Sequence, residues 1–420
     1  MKIYFTLLFL PLILSYTNSA GQDNTSYLLD HATDITRGIS TTQITNPLFF
    51  NNQLFLLGEI HGIQKGQDGD YGLVTLLNQK IKLNTYVAEF DFAKAYFLNQ
   101  YLNTGDEGLM DAVFQDWIKQ DAQWANQDFQ RKIRKLRAYN QNLKPDQRIY
   151  FEGIDQIQNP ALVARYLNIL FKDPSLHKVH SSFRGLITAL AAKNDSLIIA
   201  LSSQLQTDAG INSLHIEPSK LAELKYVLSN CKSIKSSREG VLYDNFSDLF
   251  KMRNWGNKKL YGFFGFAHIL QSVGNQGKFK SLAVRLEEDP NLQLKGNVVS
   301  IAMLYLDSKM MMPTSGLPAA WQNKTKRFSS VNQFNHDGPL VKFDGIEVFK
   351  SNTKPNSTTL FYLRENGSPF LKTRANIIYA DMMPQGQRLM LDEKDKFITD
   401  YFQYIVLVRN SDATLPVKGD

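Results

Sequence analysis

A chain of 420 residues, 43% hydrophobic and 21% charged with plentiful aromatics, can bury a large core and is not a disordered protein. Its net charge of +7 is modest for that length, and the basic residues are scattered apart from a short cluster at 131–137, which reads as the solvated face of a helix. No DNA- or RNA-binding motif accompanies that cluster, so nucleic acid is excluded as a partner. The single cysteine, Cys231, excludes an intramolecular disulfide and falls in a helical stretch, where it reads as packing.

Residues 1–20 have the pattern of a secretory leader. Lys2 supplies the charge, residues 3–14 are almost wholly apolar, and cleavage is expected near Ser19 or Ala20, which implies a secreted or periplasmic protein. No later segment carries enough consecutive apolar residues for a transmembrane span. Residues 21–50 form a polar lead-in with one short helix. Sequons occur at Asn24 and Asn356.

The stretch from Leu54 to Gly62, Leu-Phe-Leu-Leu-Gly-Glu-Ile-His-Gly, opens residues 51–420, read as one α/β domain. Its apolar half predicts a buried strand that breaks at Gly58 and presents Glu59 and His61. A glycine-rich loop over 62–72 follows, then a helix over 73–81. Residues 85–90 predict a second strand ending near Glu89. Helices are expected over 92–102, 107–117 and 128–142. Residues 148–153 predict a third strand, which stops at Gly153 and delivers Asp155. Residues 160–256 read as helical almost throughout, an insertion between two strands. Residues 259–265 predict a fourth strand leading to His268. Further strands are expected over 297–306 and 402–408, separated by a loop-rich region with short β-type pieces at 346–349 and 359–362. Strands alternating with helices predict a largely parallel sheet flanked by helices.

In such a sheet, ligands bind at the strand carboxyl ends. Four strands there deliver Glu59 with His61, Glu89, Asp155 and His268. One acid after a strand is ordinarily a helix cap, but repeated delivery at neighbouring ends predicts a shared pocket for a small-molecule substrate. The chain has no Gly-x-Ser-x-Gly elbow, no P-loop and no Gly-x-Gly-x-x-Gly, and Cys231 is remote from these residues in sequence. Direct activation of water remains. A histidine oriented by a carboxylate can do it. So can a divalent metal held by Glu59, His61, Glu89 and His268. Both readings are open at this point. On a helix, Arg238, Leu242 and Asn245 share a face, and Arg238 is suited to clamp a carboxylate or stabilise an oxyanion.

These residues together resemble the erythromycin esterase family, within a wider group that includes ChaN-like haem-binding proteins and Tiki-type proteases. The resemblance rests on Gly58-Glu59-Ile60-His61-Gly62, the strand ending near Glu89, and Gly153-Ile154-Asp155. It also rests on Arg238-Glu239-x-x-Leu242-Tyr243-x-Asn245, the strand leading to Ala267-His268, and the last strand with its short tail, and it spans about residues 50–416. It implies an α/β core with the helical portion over 160–256 roofing the cleft at the strand carboxyl ends. It further implies a hydrolase acting on an ester or lactone with no required metal or other cofactor. His61 would be the general base, and Glu59 and Glu89 would orient it or the water. His268 and Arg238 would stabilise charge on the carbonyl, with Asp155, Arg238 and Asn245 on the substrate side. The chain departs from the esterases in placing one residue, Ile60, between the first acid and the histidine, where they usually have two. That tighter spacing is closer to the ChaN and Tiki branches, which leaves a bound divalent metal or haem as the alternatives.

Overall fold

The computed structural model describes residues 19–44, 46–207 and 216–417; the leader expected up to about residue 20 lies almost wholly outside them. Twelve strands occur among these residues: β1 Ala32–Asp34, β2 Leu54–Glu59, β3 Thr85–Ala88, β4 Tyr150–Gly153, β5 Leu260–Gly265, β6 Val298–Leu306, β7 Met310–Pro313, β8 Phe328–Val331, β9 Val341–Phe343, β10 Thr358–Tyr362, β11 Ile377–Tyr379 and β12 Tyr404–Arg409. Eight of them form one sheet in the order β1-β10-β12-β6-β2-β5-β3-β4. From β12 to β4 the neighbours run parallel, and β10 and β1 close one edge antiparallel.

Every residue of β2 and of β6 is buried, because the sheet is covered on both faces. Phe55 and Leu57 of β2 join the core on one face with Tyr86, Phe263, Ile301 and Tyr305. Leu54 and Leu56 join the other with Val87, Leu260, Phe264 and Leu304. In this register Glu59 of β2 lies opposite Gly265 of β5, and Ala88 of β3 opposite Gly153 of β4. All four ends expected to carry the site therefore meet at one rim.

The helical stretch sits between β4 and β5 as expected, with helices at Pro160–Leu170, His177–Ala191, Asp195–Thr207, Pro218–Lys232 and Arg238–Met252. Four local expectations are corrected. Residues 62–72 are not a loop: the helix runs Gln64–Ile81 and contains Gly66, Gly69 and Gly72. These glycines recur every three residues and bring one helix face down onto its neighbours, since a Cβ at Gly66 would lie 3.0 Å from both Glu59 Oε2 and the Tyr305 hydroxyl, and one at Gly69 would lie 3.2 Å from Met303 Cε. Residues 346–349 are not a strand but the start of a helix, Ile346–Ser351, because Ile346 and Phe349 bury together at a spacing of three. The 131–137 cluster is solvated at Arg131, Arg134 and Lys135, but Lys132 turns inward and pairs with buried Asp70. The lead-in holds more than its one helix, Ser19–His31, since β1 adds a strand to the main sheet.

Candidate active site

Two glycines shape the stretch that carries Glu59 and His61. A Cβ on Gly58 would meet Ile269 Cγ1 at 2.4 Å, so glycine lets the turn after β5 pack against β2. Gly62 has φ +91° and a Cβ there would lie 2.4 Å from Met311 O, so the chain can leave His61 only through glycine. The Gly62 carbonyl accepts from Met311 N–H at 2.9 Å and from Thr414 N–H at 2.9 Å, and Gln123 Nε2 donates to His61 O at 3.0 Å. The backbone of His61 is thus fixed from three separate segments.

Glu59 is fully buried and its Oε1 is hydrogen-bonded to His61 Nδ1. The His61 ring packs against Trp124, with centroids 4.4 Å apart, and 26% of its side chain stays exposed. Its Nε2 edge faces the cleft and lies 3.8 Å from Glu89 Oε1. That same oxygen accepts from Arg238 Nη2 at 2.7 Å and lies 3.2 Å from His268 Nε2, while Glu89 Oε2 accepts from Gly265 N–H at 2.6 Å. Glu89 is therefore the hub of the site. It does not cap the following helix; Asp91 does, accepting from Ala93 and Lys94 N–H.

Behind the hub, Arg238 is held by Asp155 in a bidentate pair, Nε to Oδ1 at 3.0 Å and Nη2 to Oδ2 at 2.6 Å. Asp155 is buried, and it positions Arg238 instead of facing the cleft. Asn245 is buried as well. Its Nδ2 donates to Ile154 O at 2.9 Å and to Asn230 Oδ1 at 2.8 Å, so it anchors the loop carrying Asp155 and is not a substrate contact. Sequence reasoning missed Glu239, whose Oε1 lies 2.5 Å from His268 Nδ1, off the line of the ring N–H. The signal was its place beside Arg238 at the helix start.

The charges are strongly coupled. Burial would push the His61 imidazole down, but the Glu59 carboxylate and, behind it, Glu89 hold it up at about 10. Burial pushes Glu59 up, so the pair keeps its proton through neutral pH. Burial likewise opposes charge on His268, yet Glu89 and Glu239 raise it to about 9. Burial would raise Glu89, but the two histidines hold it well below the usual carboxylate range.

These contacts bear on a metal. Arg238 and both histidine Nε2 atoms converge on one oxygen of Glu89, and His61 Nδ1 is taken by Glu59, so Glu59, His61, Glu89 and His268 are turned on one another. Among the described residues no group of three or more His, Cys, Asp or Glu could hold a metal ion. The set does not fit a bound cation.

The cleft above these groups encloses about 390 Å³. The helical stretch over 160–256 supplies Arg238 to its lining, and half of the lining residues come from the 310–389 region, including Met310, Met312, Phe334, Ile377, Met383 and Leu389. At the floor, a Cβ on Gly265 would lie 3.6 Å from His61 Nε2 and 3.7 Å from Glu89 Oε2. The missing side chain leaves room for a small molecule within reach of both.

No family model matches the sequence, and no curated protein matches it. Solved structures do. A Bacillus cereus protein superposes with a TM-score of 0.68 at 16% identity, covering 95% of this chain and 99% of its own. A succinoglycan biosynthesis protein gives 0.62 at 14% identity, covering 96% and 100%. An erythromycin esterase mutant in its open conformation gives 0.58 at 13% identity, covering 92% and 99%. The chain has the erythromycin-esterase-like fold. Its α/β sheet and the rim where the four strand ends meet belong to that shared architecture.

Proposed function

We propose that the protein is a hydrolase that cleaves an ester or lactone with water activated by His61. The observation that carries this reading is the orientation of His61, whose Nδ1 is taken by a buried carboxylate while its Nε2 edge opens onto the cleft beside Glu89, Arg238 and His268. A histidine so placed takes a proton from water at Nε2, and Glu59 stabilises the imidazolium that forms. The water occupies the space beside Gly265 and attacks the carbonyl carbon. Negative charge then develops on the carbonyl oxygen. Arg238, 44% exposed and lining the cleft, meets it with the guanidinium edge that Glu89 and Asp155 leave unused, and protonated His268 adds positive charge beside it. Collapse of the intermediate expels the alcohol, which takes its proton from His61. No cofactor enters this scheme.

The likeness to an erythromycin esterase supports the choice of an ester or lactone. The leader-like residues 1–20 support export with cleavage near Ser19 or Ala20, which N-terminal sequencing of the secreted product would test. The test of function is a panel of esters and lactones at pH 9–10, with the wild type and His61→Asn compared by kcat/KM and with a chelator added to a parallel set. Hydrolysis abolished in His61→Asn and indifferent to the chelator is expected. Equal turnover by the variant, or loss on chelation, would overturn the reading.

A further inference from the structure

His336 belongs to none of the groups assigned above. It is 3% exposed and lines the same cleft as His61, Glu89 and His268. Its backbone is tied to β6, with His336 N–H donating to Tyr305 O at 2.9 Å and its carbonyl accepting from Phe343 N–H at 2.8 Å. The residue before it is clamped as well. Asn335 Oδ1 accepts from Ser308 N–H at 3.0 Å, and its Nδ2 donates to Ser308 O at 2.9 Å and Asn332 O at 2.7 Å. The ring sits between Phe266 and Tyr305, 6.3 Å from each centroid.

The decisive contact is at Nδ1, which lies 3.0 Å from the backbone N–H of Tyr305. A backbone N–H can only donate, so Nδ1 must be the unprotonated nitrogen and the proton of the neutral ring sits on Nε2. Burial agrees with a neutral ring, pushing this histidine down to about 4. Among the described residues no protein group accepts from Nε2. A nearly buried ring, rigidly held and with its tautomer set by the backbone, thus leaves one N–H without a protein partner at the wall of the cleft. A ligand that covered this N–H without accepting from it would bury an unpaired donor at a cost in free energy, so a ligand in the cleft is expected to place an acceptor there.

The other polar groups of the cleft narrow what that ligand is. Arg238 is paired with Glu89 and Asp155, His61 with Glu59, and His268 with Glu89 and Glu239. Each of these cations already has a carboxylate partner, which disfavours a ligand that is itself an anion, and much of the remaining wall is methionine, aromatic and aliphatic. We propose that His336 is a substrate-contacting residue whose Nε2–H donates a hydrogen bond to an uncharged oxygen, a carbonyl, ether or hydroxyl, on a largely apolar ligand. This rests on the hydrolase reading for the ligand's chemistry, and the donor can be tested without turnover.

The probe is 2-piperidone, a lactam that offers a neutral carbonyl and resists hydrolysis. Protein labelled with ¹⁵N-histidine is followed by long-range ¹H–¹⁵N spectra, with the His336 signals assigned through His336→Gln. The expected result is a neutral Nε2–H tautomer whose Nε2 resonance moves saturably with the lactam, and a saturation that acetate does not reproduce. His336→Phe should bind the lactam about tenfold more weakly, whereas His336→Gln, which keeps a donor, should stay within about threefold of wild type. An Nδ1–H tautomer, an Nε2 resonance unmoved by the lactam, or equal binding by His336→Phe would each overturn the proposal. If esters are not hydrolysed but the lactam moves Nε2, the hydrolase reading fails and the His336 donor stands. If esters are hydrolysed and Nε2 does not move, the reverse holds.

Discussion

Glu59→Gln isolates the interaction on which the site depends. In the wild type His61 is held at about 10, against its own burial, mainly by the carboxylate of Glu59. Glutamine keeps the shape and removes the charge. Burial is then opposed by Glu89 alone, and that carboxylate is 3.8 Å away and already shared with Arg238 and His268. The imidazole should fall from about 10 to its ordinary value near 6.5 or below. At pH 7 the neutral form would rise from roughly one molecule in a thousand to the majority. The assay is a histidine NMR titration from pH 5 to 11, which needs no substrate. In activity, the limb of the pH–rate profile due to His61 should move down with the NMR value. The maximal rate should also fall, because the imidazolium formed on proton transfer has lost its carboxylate. A His61 resonance that still titrates near 10 in Glu59→Gln would refute the assignment of its proton affinity to Glu59.

Other expectations follow from the same geometry. His61 must lose its proton to act as base while His268 must keep its own, so kcat/KM should be bell-shaped with a maximum between about 9 and about 10, and about fiftyfold lower at pH 7; a maximum near pH 6 would contradict the roles. Gly265→Ala adds a methyl whose contacts with His61, His268 and Glu89 are at 3.5–3.7 Å, ordinary van der Waals distances. Denaturant unfolding should be nearly unchanged while turnover falls at least tenfold, and a fully active variant would show that the space beside Gly265 is not where water sits. Asn245→Ala strips the buried Ile154 carbonyl of its donor and should cost about 1–3 kcal/mol in urea unfolding; unchanged stability would show that the Asp155 loop is held by other contacts.

The rim was legible because its signal is local. A run of apolar residues that stops at glycine and delivers an acid or histidine can be read in a single pass; β2, β4 and β5 follow that pattern, and β3 delivers Glu89 directly after its last residue, Ala88. Parallel pairing then brings Glu59, Glu89 and His268 together without knowledge of any contact. What was hidden depends on long-range pairing. Asp155 and Asn245 look like substrate-facing residues in the sequence, yet one is spent on Arg238, 83 residues away, and the other on Ile154, 91 residues away. Glu239 and His336 were missed for the same reason, since their roles are defined by His268 and by the backbone of Tyr305. The part of the cleft wall supplied by the 310–389 region was not visible because β7, β9 and β11 are three or four residues long, too short to show periodicity. Gly66, Gly69 and Gly72 were read as a loop because glycine is a weak helix former; the close approach of Glu59, Tyr305 and Met303 to Gly66 and Gly69 explains two of them and is invisible before the helix is packed.

The central claim is that water, activated by His61, attacks the acyl carbon directly. A single turnover in H₂¹⁸O with excess enzyme, on whichever ester of the panel is cleaved, tests it. Direct attack predicts one ¹⁸O atom in the product acid from the first turnover, an unmodified enzyme mass throughout, and no product from His61→Asn. An unlabelled first-turnover acid, an acyl adduct on the protein, or labelled product from His61→Asn at the wild-type rate would contradict it.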